Sequence, residues 1–208
     1  MELNKILNKD SFKVMGELNP GSVGTIIADP DFWADTGKLA VFFNLSKKVL
    51  HDEGCLLLWT PLCYVDRGFR FCQQYFFVET MIFVENLIHP GGKILVDKNF
   101  VILKLVKKEI AVGTYGENVL LNVFVSPRYI SIKAEDKCLG YFLSLIEKYH
   151  DPEKGFILDP FSGLGSTATA SSLLKKDYLA VEIDRERYER SLEFMNSVLK
   201  GNCGIQYV

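Results

Sequence analysis

Two acidic residues in distant parts of the chain each end an apolar run and stand directly before a proline, Asp29-Pro30 and Asp159-Pro160. The second opens Asp159-Pro160-Phe161-Ser162-Gly163-Leu164-Gly165-Ser166-Thr167, a turn with two glycines followed by small residues. Glycines let a backbone approach a ligand closely, and the N–H groups that open a helix can receive a carboxylate or phosphate. Glu182, 23 residues after Asp159, ends another apolar run and can accept both hydroxyls of a ribose. The chemistry these residues suit is the binding of a nucleoside.

The elements that must position them follow from periodicity. Phe156, Ile157 and Leu158 form a short buried strand, Leu173 and Leu174 continue a helix after the glycine turn, and Tyr178 to Val181 is a second strand. Strand, glycine turn, helix, strand and closing acid make a βαβ unit. Val23 to Ala28 is likewise a buried strand, ending at Asp29-Pro30-Asp31-Phe32. In a doubly wound sheet ligands sit beyond the carboxyl ends of the strands, so both Asp-Pro turns should share that edge.

The run Asp159 to Thr167 resembles the cofactor motif of S-adenosylmethionine-dependent amino-methyltransferases that modify adenine or cytosine in DNA. Glu182-Ile183-Asp184 resembles the family's next motif, whose acid holds the ribose. Because this unit comes late, the chain is similar to the permuted β-class, in which the catalytic motif comes first. Asp29-Pro30-Asp31-Phe32 then stands where the family has a DPPY-like tetrad. The resemblance implies a Rossmann-like, doubly wound, mostly parallel seven-stranded α/β sheet with helices on both faces. It implies S-adenosyl-L-methionine as cofactor, held by Asp159, Phe161, Ser162, Gly163, Gly165, Ser166, Thr167 and Glu182. Asp10 is either a contact for the cofactor's adenine or a plain helix cap.

By the same resemblance the Asp29 carboxylate and the Pro30 carbonyl accept from the two N–H bonds of a base's exocyclic amine, turning its lone pair toward the methyl donor. Phe32 stacks on a base that has left the duplex. Asp31 departs from the family, which has its second proline there; the acceptor pair survives, and what is lost is the rigidity of a fixed φ. The implied activity is methyl transfer to adenine N6 in DNA. Cytosine N4, and a degenerate subunit that keeps the fold without the chemistry, stay open, as does single-stranded DNA or RNA as the substrate. A generic dinucleotide-binding module fits poorly, because the third glycine of that fingerprint is missing.

Size and composition bound the rest. The 208 residues suit one α/β domain, with a catalytic-motif half at about 1–106, a variable segment at about 107–136 and a cofactor-binding half at about 137–208. About thirty variable residues cannot hold an independent recognition domain. Net charge is −2, so charge alone does not suggest a nucleic-acid surface. A homodimer or a partner subunit is therefore expected to complete target recognition, with Lys104, Lys107, Lys108, Arg128 and Lys133 as candidate phosphate contacts. The five cysteines lack CxxC spacing, which gives no metal site and reduced thiols. No apolar run suits a membrane span or a leader peptide, so the expected setting is cytoplasmic, that of a host cell if a phage or virus encodes the chain.

Between the motifs, Asp10 opens a short helix, Thr36 to His51 is an amphipathic helix, and Cys55 to Thr60 is a buried strand. Phe69 to Phe77 reads as an aromatic-rich helix whose stripe is core rather than a stacking platform. Thr80 to Glu85 and Phe100 to Val106 read as strands, Lys137 onward and Arg185 to Leu199 as helices, and Asn202 to Val208 as a closing strand.

Overall fold

The computed structural model describes residues 2–84, 100–107, 120–124, 129–130, 139–201 and 206–207. Along the chain these form β1 (Lys5–Asn8), α1 (Ser11–Glu17), β2 (Val23–Ala28), α2 (Thr36–Val49), β3 (Leu50–Pro61), α3 (Val65–Cys72), β4 (Phe77–Val84), β5 (Phe100–Val106), β6 (Leu120–Phe124) and β7 (Tyr129–Ile130). The second half holds α4 (Leu139–Tyr149), β8 (Phe156–Asp159), α5 (Ser166–Leu173), β9 (Tyr178–Glu182), α6 (Arg185–Leu199) and β10 (Gln206–Tyr207).

The main sheet runs β1-β9-β8-β2-β3-β5-β4-β6. Neighbours are parallel except at β5, which is antiparallel to both β3 and β4. This is the expected doubly wound, mostly parallel arrangement, with one strand more than the seven anticipated among the described residues. The short strand β1 pairs with β9 at one edge and β6 with β4 at the other. The closing strand lies outside this sheet: β10 pairs antiparallel with β7.

Period-two alternation splits the strand side chains between two cores. Ile26, Ala28, Leu56, Leu58 and Leu158 face α1, α2 and α3, where Met15, Leu39, Phe42 and Phe43 are buried. Ile27, Leu57, Trp59, Ile157 and Ala180 face α4, α5 and α6, packing on Phe142, Leu145, Ile146 and Ala168. Burial on both faces is what turns β2, β3 and β8 into continuous apolar runs in the sequence. Three helices carry aspartate caps at their first turns: Asp10 accepts from the Phe12 N–H at 2.9 Å, Asp35 from Lys38 at 3.0 Å and Asp184 from Arg187 at 2.8 Å. Each is worth about 1 kcal/mol against alanine.

Two elements differ most from the sequence reading. The helix expected over Phe69 to Phe77 lies earlier, at Val65–Cys72, because Phe77 already pairs with Val106 in the sheet. The strand expected from Cys55 begins at Leu50, with a register shift between Val23 and Thr25 of β2 that absorbs the extra residues. The recognition-segment candidates Lys108, Arg128 and Lys133 lie outside the described residues.

Candidate active site

β2 and β8 lie side by side, with Ile26 opposite Leu158. The chain leaves β8 for α5, which packs on one face, and leaves β2 for α2, which packs on the other. Adjacent strands whose connections part to opposite faces define the switch point, and a crevice opens there. A cavity of about 280 Å³ occupies it, and both Asp29 and Asp159 line it. Two residues that are distant in the sequence thus share one cleft because their strands are neighbours.

The glycine turn forms one wall. Phe161, Ser162, Gly163, Ser166 and Thr167 all line the cavity. Gly163 and Gly165 have φ of +52° and +79°, the left-handed region that side chains with a Cβ rarely adopt. The Asp159 carboxylate accepts from the Phe161 N–H at 3.0 Å, which folds the chain back at the strand end. The Ser162 and Thr167 hydroxyls are buried and have no hydrogen-bond partner among the described residues. Buried polar atoms without a partner are costly, so a site with two of them on its wall fits a polar ligand that supplies the missing partners.

Glu182 does more than the sequence indicates. It is 7% exposed, and its two carboxylate oxygens accept from the Gly163 and Asp184 N–H groups, each at 2.8 Å. It therefore ties the end of β9 to the glycine turn and to the start of α6. Each oxygen keeps a lone pair for a further donor, so a ribose hydroxyl can still be accepted.

The tetrad residues divide. Pro30 is buried, Asp31 is exposed and Phe32 is half-buried. Phe32 meets Phe161 edge-on, and Phe12 packs edge-on to both rings, at 5.9 Å from Phe32 and 6.3 Å from Phe161. Three segments named in the sequence, the Asp10 helix, the tetrad and the glycine turn, thus meet in one aromatic cluster. Asp10 itself does not line the cavity; it caps α1 and so places Phe12.

Several positioning residues escaped the sequence reading. Trp33, 4% exposed, stacks on Tyr64 at 6.3 Å with an interplanar angle of 13°. A Cβ added at Gly68 would stand 3.0 Å from the Trp33 ring, so that glycine makes room for the tryptophan that anchors the tetrad loop. Trp59 and Phe142, ring centroids 5.5 Å apart, form the apolar floor, and Arg187 reaches the cavity from α6. Alternation along β3 put Trp59 on the α4 face; nothing in the sequence singled it out from Leu57.

Two candidate phosphate contacts are engaged elsewhere. Lys104 is ion-paired with Glu79 and lies 5.1 Å from the centre of the Tyr149 ring, and Lys107 pairs with Asp52 at 3.4 Å. Lys107 follows Val106, which pairs with Cys55 toward the amino end of the parallel strands, the edge opposite the cleft.

An open, mostly parallel sheet with a cleft at its switch point defines the architecture as a doubly wound α/β fold. Residues 141–193 match the family model described as DNA methylase, N6_N4_Mtase, a segment that contains the glycine turn and Glu182 but not the tetrad. Solved structures carry the likeness over nearly the whole chain. M1.HpyAVI in complex with S-adenosylmethionine superposes with a TM-score of 0.64 at 19% identity, covering 92% of this chain and 99% of that one. TTHA0409 from Thermus thermophilus, complexed with S-adenosyl-L-methionine, gives 0.70 at 15% identity and 96% of each chain. The cytosine-N4-specific PvuII DNA methyltransferase gives 0.67 at 13% identity, covering 95% and 93%. No curated protein sequence matches the chain.

Proposed function

We propose that this chain is an S-adenosylmethionine-dependent methyltransferase acting on the exocyclic amino group of a base in DNA, adenine N6 being the preferred target. The observation that carries this reading is the shared cleft: Asp29 of the tetrad and the glycine turn of the cofactor motif line the same cavity. The family match over the cofactor half and the two neighbours solved with S-adenosylmethionine support the choice of cofactor.

When bound, the cofactor supplies an electrophilic methyl group on a sulfonium. The protein's own residues do the rest. Glu182 and the glycine turn hold the nucleoside end, and Ser162 and Thr167 give their unpaired hydroxyls to polar groups of the cofactor. Asp29 and the Pro30 carbonyl accept from the target amine and hold its nitrogen lone pair in line with the methyl group; alignment and preorganised acceptors account for most of the rate. Phe32, braced by Phe161, stacks on the extruded base. Aspartate at position 29 favours adenine over cytosine through the resemblance alone, so cytosine N4 is the nearest alternative.

Asp31 favours a second reading, a binding subunit that has lost the chemistry, because an exposed carboxylate replaces a rigid proline beside the acceptor pair. One experiment decides. The protein is incubated with labelled cofactor and with duplex DNA, single-stranded DNA or RNA, and the modified nucleoside is identified by mass spectrometry. N6-methyladenine in DNA is the expected product. N4-methylcytosine would correct the base, and a methylated RNA base the substrate. No methylation of any substrate by a protein that binds the cofactor would establish the non-catalytic reading.

A further inference from the structure

Asp31 directly follows the proposed acceptor pair, and no ring locks its φ. An acceptor that must line up with a reacting atom tolerates little play, and a misplacement of about 1 Å can cost about 100-fold in rate. The loop from Asp31 to the start of α2 therefore needs rigidity from its surroundings. Part is local. The Phe32 carbonyl accepts from the Asp35 N–H at 2.9 Å, and Asp35 in turn caps α2. That turn closes the loop on itself and leaves its outer flank to be held by a neighbour.

The neighbour is the segment after β3. β3 runs parallel to β2 with Leu58 opposite Ala28, so the chain beyond Pro61 emerges at the same edge as the tetrad. Three residues there tie it to the loop. Tyr64 stacks on the Trp33 ring with planes only 13° apart. The Arg67 guanidinium donates to the Ala34 carbonyl at 3.4 Å. At Gly68 an added Cβ would stand 3.0 Å from the Trp33 ring and 3.2 Å from the Thr60 methyl, so the α3 backbone passes close to the indole.

The residue types point to a built contact. Glycine inside a helix is unfavourable against alanine, so Gly68 has a packing reason to be there. Trp33 is 4% exposed, yet its Nε1–H is buried without a hydrogen-bond partner among the described residues. Burying that donor is unfavourable, so ring contacts must hold the indole in place. The Arg67 bond is long and Arg67 is exposed, which makes it the minor tie.

We propose that Tyr64 and Gly68, acting through Trp33, are positioning residues that supply the rigidity Asp31 does not. This rests on the proposed methyl transfer, for which the clamp keeps the Asp29 carboxylate and the Pro30 carbonyl in line. Clamp and residue 31 are then interchangeable: with aspartate at 31 the loop depends on the clamp, and with proline there it depends on it less.

The test reads loop order and catalysis separately. Tyr64→Leu keeps an apolar side chain but removes the stack. In it the Asp35 amide should exchange its hydrogen about tenfold faster, as local opening becomes easier. Single-turnover methyl transfer should slow about 10- to 100-fold while affinity for S-adenosylhomocysteine stays within about twofold. Tyr64→Phe keeps the ring and should recover both readings. Adding Asp31→Pro to Tyr64→Leu should restore most of the Asp35 protection and of the rate, a rescue that a general loss of stability would not show. Gly68→Ala reaches the same contact without touching Tyr64 and serves if Tyr64→Leu does not fold. It favours α3 as a helix but presses a methyl on Trp33, and should loosen the Asp35 amide likewise. Wild-type exchange at Asp35 in either variant, or a double variant no more protected than Tyr64→Leu, would overturn the clamp and leave the proposed activity intact. The exchange readings need no turnover, so a wild type that methylates nothing would overturn the activity while Asp35 still decides the clamp.

Discussion

The ring of Phe32 meets the ring of Phe161 edge-on, with centroids 5.2 Å apart and planes at 82°. One ring belongs to the tetrad at the end of β2, the other to the glycine turn after β8. Phe161 also touches Phe42 at 5.3 Å, so it joins both loops to the core under α2.

Replacing that ring should therefore cost more activity than stability. Phe161→Leu keeps an apolar side chain but removes the edge-to-face contacts, each worth about 0.5–1.5 kcal/mol beyond burial. The expected outcome is a stability loss of about 1–2 kcal/mol in urea unfolding, with single-turnover methyl transfer slowed about 100-fold as Phe32 shifts. A rate equal to wild type would show that Phe32 needs no support from the turn.

On the proposed mechanism, Asp29→Ala removes one of two acceptors at the reacting amine. Transfer should fall at least about 10²–10³-fold, with cofactor affinity near that of the wild type. Asp31→Pro restores a fixed φ and should leave the rate unchanged or raise it. Both are read from nucleoside product formed per enzyme in single-turnover assays.

Glu182 supports the fold and, in the proposed function, the ligand as well. Glu182→Ala should weaken cofactor binding by more than the roughly 1.5–3 kcal/mol of one charge-assisted hydrogen bond, because the Gly163 N–H also loses its acceptor. Glu182→Gln keeps one oxygen acceptor and should fall between alanine and wild type, in both calorimetric affinity and melting temperature.

His150 ties stability to pH. Its ring lies 3.1 Å from the Thr25 hydroxyl, and burial, then Lys176, lowers its pKa against the opposing pull of Asp151. The unfolded ring titrates at its ordinary value near ~6.5. Above that value both states are neutral and the contribution is whole. As pH falls below it, the unfolded chain takes a proton that the folded ring resists, and stability declines until the lowered folded pKa is passed. His150→Asn should flatten that part of the profile in urea unfolding between pH 7.5 and 5.

The described thiols should separate by reactivity. Burial pushes Cys55 up to about 11 and Cys72 up to about 12, whereas Cys63 is exposed. Alkylation of the folded protein at pH 8 should mark Cys63 and spare the other two until the chain unfolds.

Much of this was legible in the sequence for a physical reason. β2, β8 and β9 are buried on both faces, so their residues are almost all apolar, and an acid ends or directly follows each of them at one edge of the sheet. Asp10 showed itself as a cap by type and position, whereas the Asp184 cap emerged only from the structure. Nor did β1 show itself, because four residues with only Ile6 buried give no run and no clear alternation. The dense aromatic residues after Phe69 obscured where α3 ends, since helix and strand both accept them. Arg187 was hidden for a related reason: a charged residue on an amphipathic helix reads as solvated until the packing partner of its face is known. The exposure of Asp31 against the burial of Pro30 also needed the loop itself, which Trp33 anchors from a position the tetrad pattern does not include.

The thread between Thr25 and His150 joins positions 125 residues apart, and the strands beside it, β2 and β8, are paired across a similar span. Bringing such segments together means closing a long loop before the pairing yields any stabilisation, so folding should be slow for a chain of this size. On a ribosome, β2 and β3 emerge well before β8, which leaves one side of β2 without its neighbour while the rest is made. Until then the future floor of the cleft is an open strand edge, the feature that invites pairing with another chain. The topology that unites the two halves of the site also makes the nascent protein prone to aggregate until its last third has been synthesised.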